Sequence, residues 1–277
     1  MSSILRRQIG SSGEHLPVIG LGTWQSFDVG PSSAERDPLR SVLRVLIEGG
    51  GSVIDSSPMY GRSEAVVGDL VDRDNTRDKL FVATKVWTHG REKGIEQINR
   101  SMDLLKVKQL DLIQIHNLLD WQAHLPTLRE MKAQGRVRYI GITHYHEGAH
   151  HQLARFMRTE PIDFVQFNYA LDDRAAEQSL LPLAAERGIA VLINRPFGAG
   201  TTLKHLTRRP VPPSLAAELG CETWAELALK YILSNEAVTC VIPGTSQSLH
   251  MQSNARTGAG PLPDSKLRRK ILREAGL

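Results

Sequence analysis

The fold is decided by short apolar runs, of which the clearest occupies residues 110–116, Leu-Asp-Leu-Ile-Gln-Ile-His. A mostly apolar run of this length suits a strand that is buried on both faces, as strands of parallel sheets are. A similar run, Leu-Phe-Val-Ala-Thr-Lys-Val, precedes it at residues 80–86. Eight runs of this kind occur along the chain: Val18–Gly22, Val53–Asp55, Leu80–Val86, Leu110–His116, Tyr139–Thr143, Phe164–Asn168, Ile189–Asn194 and Thr239–Ile242.

Helical patterns fill the segments between the runs. Residues 95–105 repeat apolar side chains at the three- and four-residue spacing of an amphipathic helix. Thr223 and Glu226 form the Thr-x-x-Glu pattern of a capping box, which predicts a helix after Thr223. Eight strands that are each followed by a helix predict an α/β fold of the (β/α)8 TIM-barrel type. An open, doubly wound sheet is the structural alternative.

The sequence shows no break in composition that would mark a second domain, so residues 1–277 are expected to form one barrel domain. An alternating segment at about residues 4–16 predicts a hairpin that covers the bottom of the barrel. Residues 198–213 are expected to form a long loop after the seventh strand. The tail from about 257 to 277 is short, polar and free of aromatic residues.

Composition limits the function classes. No apolar run approaches the ~20 residues that span a bilayer, and no signal-peptide pattern follows the first residues, so we expect a cytoplasmic protein without membrane contact. The 34 basic and 30 acidic residues are spread along the chain, which argues against a nucleic-acid partner. Two cysteines are too few for a disulfide framework or a four-cysteine zinc site, and no metal is expected. A monomer is expected.

Ionisable residues stand where barrel strands are normally apolar. Asp55, Lys85 and His116 each lie at or near the end of a predicted strand, and Tyr60 follows Asp55 by five residues. Burying an ionisable side chain inside a barrel is costly unless the side chain reaches the carboxyl ends of the strands, where barrel enzymes have their active sites. The two-residue alternation of strands allows Lys85 and His116 both to face inward, which would bring the set together.

This set suits proton donation to a carbonyl oxygen. A tyrosine is a poor acid at neutral pH because its pKa is about 10, and a neighbouring lysine ammonium lowers that pKa. Asp55 would hold Lys85 in place, and His116 would hydrogen-bond and orient the same oxygen. The structural alternatives are a buried ion pair, a loop anchor at Tyr60 and a hydrogen-bonded core histidine.

Three motifs resemble those of the aldo-keto reductase family. They are residues 55–64, Asp-Ser-Ser-Pro-Met-Tyr-Gly-Arg-Ser-Glu, residues 83–86, Ala-Thr-Lys-Val, and residues 113–116, Ile-Gln-Ile-His. Residues 18–24 resemble the family's first strand, and residues 242–254 resemble its cofactor-closing segment. The resemblance covers nearly the whole chain, in order. It implies an NAD(P)H-dependent reductase of aldehydes or ketones on a TIM barrel.

The resemblance also implies the roles of the residues. Tyr60 is the general acid, Lys85 and Asp55 tune it, and His116 positions the substrate carbonyl. Hydride would pass from the nicotinamide C4 to the carbonyl carbon, while the protein supplies placement and electrostatics. Since no G-x-G-x-x-G turn follows a strand, a Rossmann-type site is not expected. The implied cofactor-binding residues are Gly22, Thr23, Trp24, Asp55, Thr143, His144, Gln166, Asn194, Arg195, Pro196, Phe197, Gly198, Ile242, Gly244, Thr245, Ser246, His250 and Asn254.

The nicotinamide end departs from the family pattern. The family's Ser-Asn pair that holds the amide falls at Thr143-His144, where threonine keeps the hydroxyl and histidine replaces the amide. Gln166 matches the family's glutamine, and Asn168 is a weaker candidate for the same task. The aromatic platform under the ring falls at Asn194, so residue 195 or 197 would have to supply the missing face.

The adenosine end departs as well. The family's Lys-Ser, Arg and Asn fall at Gly244-Thr245, His250 and Asn254. Because the lysine is lost, we expect a weaker preference for NADPH than in members with the full set, and NADH is possible. Thr245, Ser246 and His250 are expected to hydrogen-bond a phosphate, and Asn254 the adenine amine. A helix N-cap at Ser246 or Ser248 is the structural alternative, and it is compatible with phosphate binding.

The expected partner is a small carbonyl substrate in an open pocket, because the tail that shapes the pocket in the family is short here. The expected pocket residues are Trp24, Met59, Tyr60, Trp87, His116 and Trp121, with ordinary packing as the alternative for the apolar ones. Two other functions stay open. One is a cofactor-binding, redox-sensing accessory subunit like the β subunits of potassium channels, and the other is a Schiff-base lyase that uses Lys85 as nucleophile.

Overall fold

A computed structural model of the chain describes residues 3–198 and 200–277, so residues 1, 2 and 199 of the expected domain lie outside it. The strands are β1 (Arg6–Gln8), β2 (His15–Pro17), β3 (Leu21–Gly22), β4 (Val53–Asp55), β5 (Phe81–Val86), β6 (Leu110–His116), β7 (Val137–Thr143), β8 (Phe164–Asn168), β9 (Ala190–Asn194) and β10 (Cys240–Val241). The eight strands predicted from the apolar runs correspond to β3 to β10.

The helices alternate with these strands. They are α1 (Ser33–Glu48), α2 (Ser63–Arg73), α3 (Arg91–Leu104), α4 (Trp121–Ala133), α5 (His150–Thr159), α6 (Leu180–Arg187), α7 (Thr201–Leu206), α8 (Pro213–Leu219), α9 (Trp224–Leu233), α10 (Ser248–Thr257) and α11 (Ser265–Ala275). The capping box predicted at Thr223 is present: its side chain accepts from the Glu226 amide, and the Glu226 carboxylate accepts from the Thr223 amide. None of the helices in the described residues combines the length and the apolar character that crossing a bilayer requires.

The sheet is a closed parallel barrel. β3 to β10 pair in chain order, each parallel to the next. Bridges of Ile19 with Val241 and of Gly22 with Gly244 join the first strand to the last. The predicted TIM barrel is therefore confirmed, and the open-sheet alternative is wrong. Closure brings the carboxyl ends of all eight strands to one mouth, where side chains from different strands meet.

The barrel interior is packed below this mouth. Phe81, Leu112 and Phe164 fill one apolar cluster, together with Ile9 and Leu16 of the hairpin formed by β1 and β2. β1 and β2 pair antiparallel as a hairpin, and its two apolar side chains cover the bottom of the barrel. A larger cluster lies between the outer face of the strands and the helices.

Two segments differ from the sequence prediction. The expected loop at 198–213 contains the short helix α7, which packs against α9 and buries Leu206. The polar tail contains α11, whose first turn is capped by Asp264 accepting from the Leu267 amide at 2.8 Å. α11 packs on α9 and fully buries one residue, Ile271. Leu267, Ile271 and Ala275 recur at the four-residue spacing of a helix in α11, whereas α7 is too short to show such a repeat.

Candidate active site

The four predicted catalytic residues meet at the carboxyl ends of β4, β5 and β6. Lys85 is fully buried, and its ammonium donates hydrogen bonds to Asp55 Oδ2 and to the Ser56 carbonyl, both at 2.6 Å. The same ammonium lies 5.0 Å from the centroid of the Tyr60 ring. Gln114 Nε2 donates to the other Asp55 oxygen at 3.2 Å. Asp55 therefore fixes Lys85 beside Tyr60, which is the arrangement expected from the sequence.

Burial and charge act against each other at these groups. Burial raises the pKa of Tyr60 by more than the Lys85 charge lowers it, so the pKa lies above its ordinary value. The expectation of a lowered pKa is wrong for the free protein, because the phenol is desolvated as well as paired. Burial lowers the pKa of Lys85, but Asp55 and Tyr60 raise it by more. At neutral pH Lys85 is thus an ammonium, which is no nucleophile, and this disfavours a Schiff-base lyase.

His116 completes the mouth. Its ring meets the Tyr60 ring edge-on at a centroid distance of 5.8 Å and lies 6.4 Å from the Trp87 ring. Burial and then the Lys85 charge lower the pKa of His116 to about 2. The imidazole is therefore neutral in ordinary buffers and carries one N–H donor. Ser57 Oγ lies 3.0 Å from Nδ1, so Nε2 is the nitrogen left for a substrate oxygen.

Two further residues belong to this site although the sequence did not single them out. Gln114 shares the inward face of β6 with His116, so its contact with Asp55 followed from the alternation that was used to place His116. Ser57 lies between Asp55 and Tyr60 and gave no comparable signal, because a serine after a strand end is ordinary. Ser57 matters for the site because of its hydrogen bond to His116, which lies far from it in the sequence.

Three of the predicted pocket walls lie exposed in the structure. Trp24 is 57% exposed, Met59 38% and Trp87 41%. Trp121 is placed elsewhere: it is the first residue of α4, and its ring packs edge-on against Phe156 of α5 at 5.0 Å. The prediction of Trp121 as a pocket wall is therefore wrong, because its partner belongs to the outer helical layer and not to the strand ends.

Polar side chains from β7, β8 and β9 line the next part of the mouth. Thr143 Oγ1 donates to Gln166 Oε1 at 2.8 Å, and Asn194 Nδ2 donates to the His144 carbonyl at 2.9 Å. These bonds leave the buried atoms Gln166 Nε2 and Asn194 Oδ1 without a partner among the described residues. Unpaired buried polar atoms are uncommon and call for an explanation.

Asn168 is not available in the same way. Its Nδ2 donates to Asp173 Oδ2 at 2.6 Å, and its Oδ1 lies 3.1 Å from His150 Nε2. Both polar atoms of the amide are thus already paired. This geometry therefore does not fit the prediction that Asn168 holds the nicotinamide amide.

Residues 194–198 cross the mouth after β9. Arg195 is exposed, has a φ of +48°, and its guanidinium lies 5.8 Å from the centroid of the Tyr145 ring. Phe197 is half-buried against the outer core, and Pro196 is buried. Gly198 has a φ of +61°, and a Cβ there would lie 2.7 Å from the Asp172 carboxylate. Residues 195 and 197 were the two candidates for the missing face of the nicotinamide ring. Of these, Arg195 faces solvent beside Tyr145, whereas Phe197 packs against the outer core.

Closure of the barrel brings the first strand against the predicted cofactor-closing segment, residues 242–254. Gly22 bridges Gly244, and a Cβ at Gly22 would lie 2.9 Å from the Ile242 carbonyl, so the backbones touch here. Thr23 is fully buried, and its hydroxyl donates to the Asp55 carbonyl at 3.1 Å. Thr23 thus anchors the end of the Asp55 strand through its hydroxyl.

The start of α10 forms the last part of the predicted site. Thr245 Oγ1 accepts from the Gln247 amide at 3.1 Å and lies 3.5 Å from His250 Nδ1. Ser246 and His250 are exposed, and Asn254 is buried one turn further along. Gln247 is the N-cap and makes no side-chain cap bond, so the alternative of a serine cap is wrong. The helix N-terminus is consequently open to an anion.

The model of the aldo/keto reductase family matches residues 18–270. The chain belongs to the aldo/keto reductase family. This membership confirms the resemblance drawn from the motifs, and the chain is accordingly an oxidoreductase of the NAD(P)H-dependent, carbonyl-reducing kind.

Relatives are similar over most of the chain. Methylglyoxal reductase YeaE of Escherichia coli is 28% identical over 258 residues, which cover 90% of this chain and 88% of the relative. An NADH-specific methylglyoxal reductase of Escherichia coli is 26% identical and covers 74% of this chain and 71% of its own. The aldo-keto reductase of Klebsiella pneumoniae, solved with NADPH, has a TM-score of 0.83 at 23% identity, covering 99% of this chain and 95% of that one. This last likeness supports the barrel fold.

Proposed function

We propose that this chain reduces small aldehydes and ketones to alcohols, with NADPH preferred over NADH and with Tyr60 as the proton donor. The observation that carries the proposal is the fully buried Lys85–Asp55 ion pair set against the Tyr60 ring at the barrel mouth. An ammonium fixed beside a phenol stabilises the negative charge that the phenol oxygen acquires when its proton leaves.

Each side chain then has one task. Tyr60 keeps its proton in the free protein, because burial raises the pKa of its hydroxyl. An alkoxide is a far stronger base than a phenolate, so the proton moves to the substrate oxygen once charge develops there. His116, as a neutral N–H donor, binds and orients the same oxygen.

The unpaired amide atoms fit the nicotinamide group. A carboxamide presents one carbonyl acceptor and one NH₂ donor, and Gln166 Nε2 with Asn194 Oδ1 offers the complementary donor and acceptor. Asn194 thereby takes the amide-binding role that His144 lacks. The cofactor, when bound, supplies the hydride at its C4 atom. Arg195, whose guanidinium lies 5.8 Å from the centroid of the Tyr145 ring, would cover one face of the nicotinamide ring.

The preference for NADPH rests on the start of α10. Thr245, Ser246 and His250 offer hydrogen bonds beside a helix N-terminus, which favours a phosphate. The similar Klebsiella pneumoniae structure contains NADPH, whereas one similar reductase is named as NADH-specific. Since Gly244 provides no charge here, the preference is moderate and NADH also serves.

The test is the loss of absorbance at 340 nm with NADPH and with NADH, against methylglyoxal and 4-nitrobenzaldehyde. Methylglyoxal is chosen because two similar proteins are named as its reductases. We expect turnover with both cofactors and a higher kcat/KM with NADPH. Cofactor binding without turnover of any carbonyl would overturn the proposal in favour of an accessory subunit.

The cofactor preference is tested separately with His250→Ala. If His250 binds the 2′-phosphate, the variant should bind NADPH several-fold more weakly and NADH unchanged, as measured by quenching of tryptophan fluorescence. His15→Ala, an exposed histidine on the hairpin at the other end of the barrel, is the matched control. An equal effect of His250→Ala on both cofactors would reject the role.

A further inference from the structure

We infer that Ser57 is a positioning residue that holds His116 in the tautomer with its proton on Nε2. The catalytic consequence rests on the proposed function, because it concerns the hydrogen bond that His116 gives to the substrate oxygen. The tautomer itself is a property of the free protein.

The hydrogen bonds of Ser57 fix the direction of its hydroxyl. Ser57 Oγ is buried and lies 3.0 Å from His116 Nδ1. The Met59 amide donates to the same oxygen at 3.3 Å, so one acceptor position of the hydroxyl is already used. Within residues 3–198 and 200–277, His116 Nδ1 is the acceptor within reach of the Ser57 proton. The hydroxyl therefore donates to Nδ1.

A hydroxyl that donates to Nδ1 decides where the ring proton lies. A neutral imidazole carries one N–H, so an Nδ1 that accepts requires the proton on Nε2. The opposite tautomer would turn Nδ1–H toward Ser57 and leave the buried hydroxyl proton without an acceptor, which is costly. It would also present an Nε2 lone pair to the lone pairs of the substrate carbonyl, and these repel each other.

The backbone ties this control to the proton donor. The Ser57 carbonyl accepts from the Tyr60 amide at 3.0 Å, so Ser57 opens the turn that carries Tyr60. The Tyr60 and His116 rings then meet edge-on at 5.8 Å. One short turn thus sets the place of the phenol and the orientation of the imidazole N–H, the two donors that a carbonyl oxygen needs.

The experiment measures the tautomer directly, by long-range ¹H–¹⁵N correlation on ligand-free protein with ¹⁵N-labelled histidine. His116→Gln identifies the His116 signals. We expect the Nε2–H pattern for His116 in the wild type, a mixture of tautomers in Ser57→Ala, and recovery of the Nε2–H pattern in Ser57→Thr. Ser101→Ala removes another buried hydroxyl, on α3 outside the barrel, and should leave the His116 signals unchanged.

Kinetics provide the second readout. Ser57→Ala should lower kcat about tenfold, the effect of one ordinary hydrogen bond, with partial rescue in Ser57→Thr. The dissociation constant of NADPH should stay within about twofold, since Ser57 is not one of the residues proposed to hold the nicotinamide amide. If the wild type reduces no carbonyl, the proposed function fails, while the tautomer measurement still decides the inference. An Nδ1–H pattern in the wild type, or Ser57→Ala matching Ser101→Ala in tautomer and rate, would overturn it.

Discussion

Removing the charge of Asp55 tests how firmly the buried ion pair is built into the barrel. Asp55→Asn keeps the shape of the side chain but leaves the Lys85 ammonium, which is fully buried, with neutral partners. At the observed 2.6 Å separation the lost attraction is about 6 kcal/mol for an effective dielectric constant of about 20. Loss of one partner from a buried pair lowers the free energy of unfolding by about 3–5 kcal/mol in practice.

The pH dependence of this stabilisation follows from the pKa of Lys85. Its pKa is raised in the folded protein above the ordinary value of 10.5, so the stabilisation is fully present at pH 7 and is lost only as the pH rises through the folded pKa. Urea unfolding at pH 7 is therefore the assay. With a slope of about 3 kcal/mol per molar, the midpoint of Asp55→Asn should fall by about 1–1.7 M.

Two further variants make the comparison decisive. Asp55→Asn combined with Lys85→Met removes both charges and should recover at least half of the loss, because no unpaired buried charge remains. Glu48→Gln breaks the exposed pair with Arg44 and should change the free energy of unfolding by less than about 0.5 kcal/mol. If Asp55→Asn behaves like Glu48→Gln, or if the double variant is less stable than Asp55→Asn, then an unpaired buried charge on Lys85 does not destabilise the barrel.

Three other variants or conditions test separate parts of the structure. His116 has a pKa of about 2, so its protonation should add no limb to the pH profile of kcat between about pH 5 and 9; a limb near pH 6.5 that disappears in His116→Gln would contradict this. Thr223→Ala removes the cap of α9 and should lower the free energy of unfolding by about 1 kcal/mol in urea titrations; no change would count against the capping box. Asn194→Leu removes the acceptor proposed for the nicotinamide amide and should weaken NADPH binding about tenfold in fluorescence titrations, whereas unchanged affinity would exclude the proposed contact.

The barrel could be predicted from the sequence because its strands are short apolar runs at regular intervals. The capping box at Thr223 and the hairpin were equally visible, since each depends on neighbouring residues. The helices α7 and α11 were not predicted, because α7 has six residues and the apolar repeat of Leu267, Ile271 and Ala275 in α11 lies within a tail that is otherwise polar. Helical periodicity is read over about 11–18 residues, so a six-residue helix cannot establish it.

The catalytic set could be predicted for an energetic reason. Charged residues at strand ends are too costly to be incidental, and this brought Asp55, Lys85 and His116 together before any coordinates. The pKa direction of Tyr60 was missed because it depends on the balance of burial against the Lys85 charge. Trp121 was misplaced because a residue close to His116 in sequence can still point to the outer layer.

Tyr60→Phe shows whether the Tyr60 hydroxyl supplies the proton. The variant keeps the ring against Lys85 and His116 and removes only the hydroxyl. With NADPH and methylglyoxal, kcat should fall by about 10²–10⁴, while the dissociation constant of NADPH stays nearly unchanged. Turnover within a few-fold of the wild type, at equal cofactor affinity, would show that another group supplies the proton.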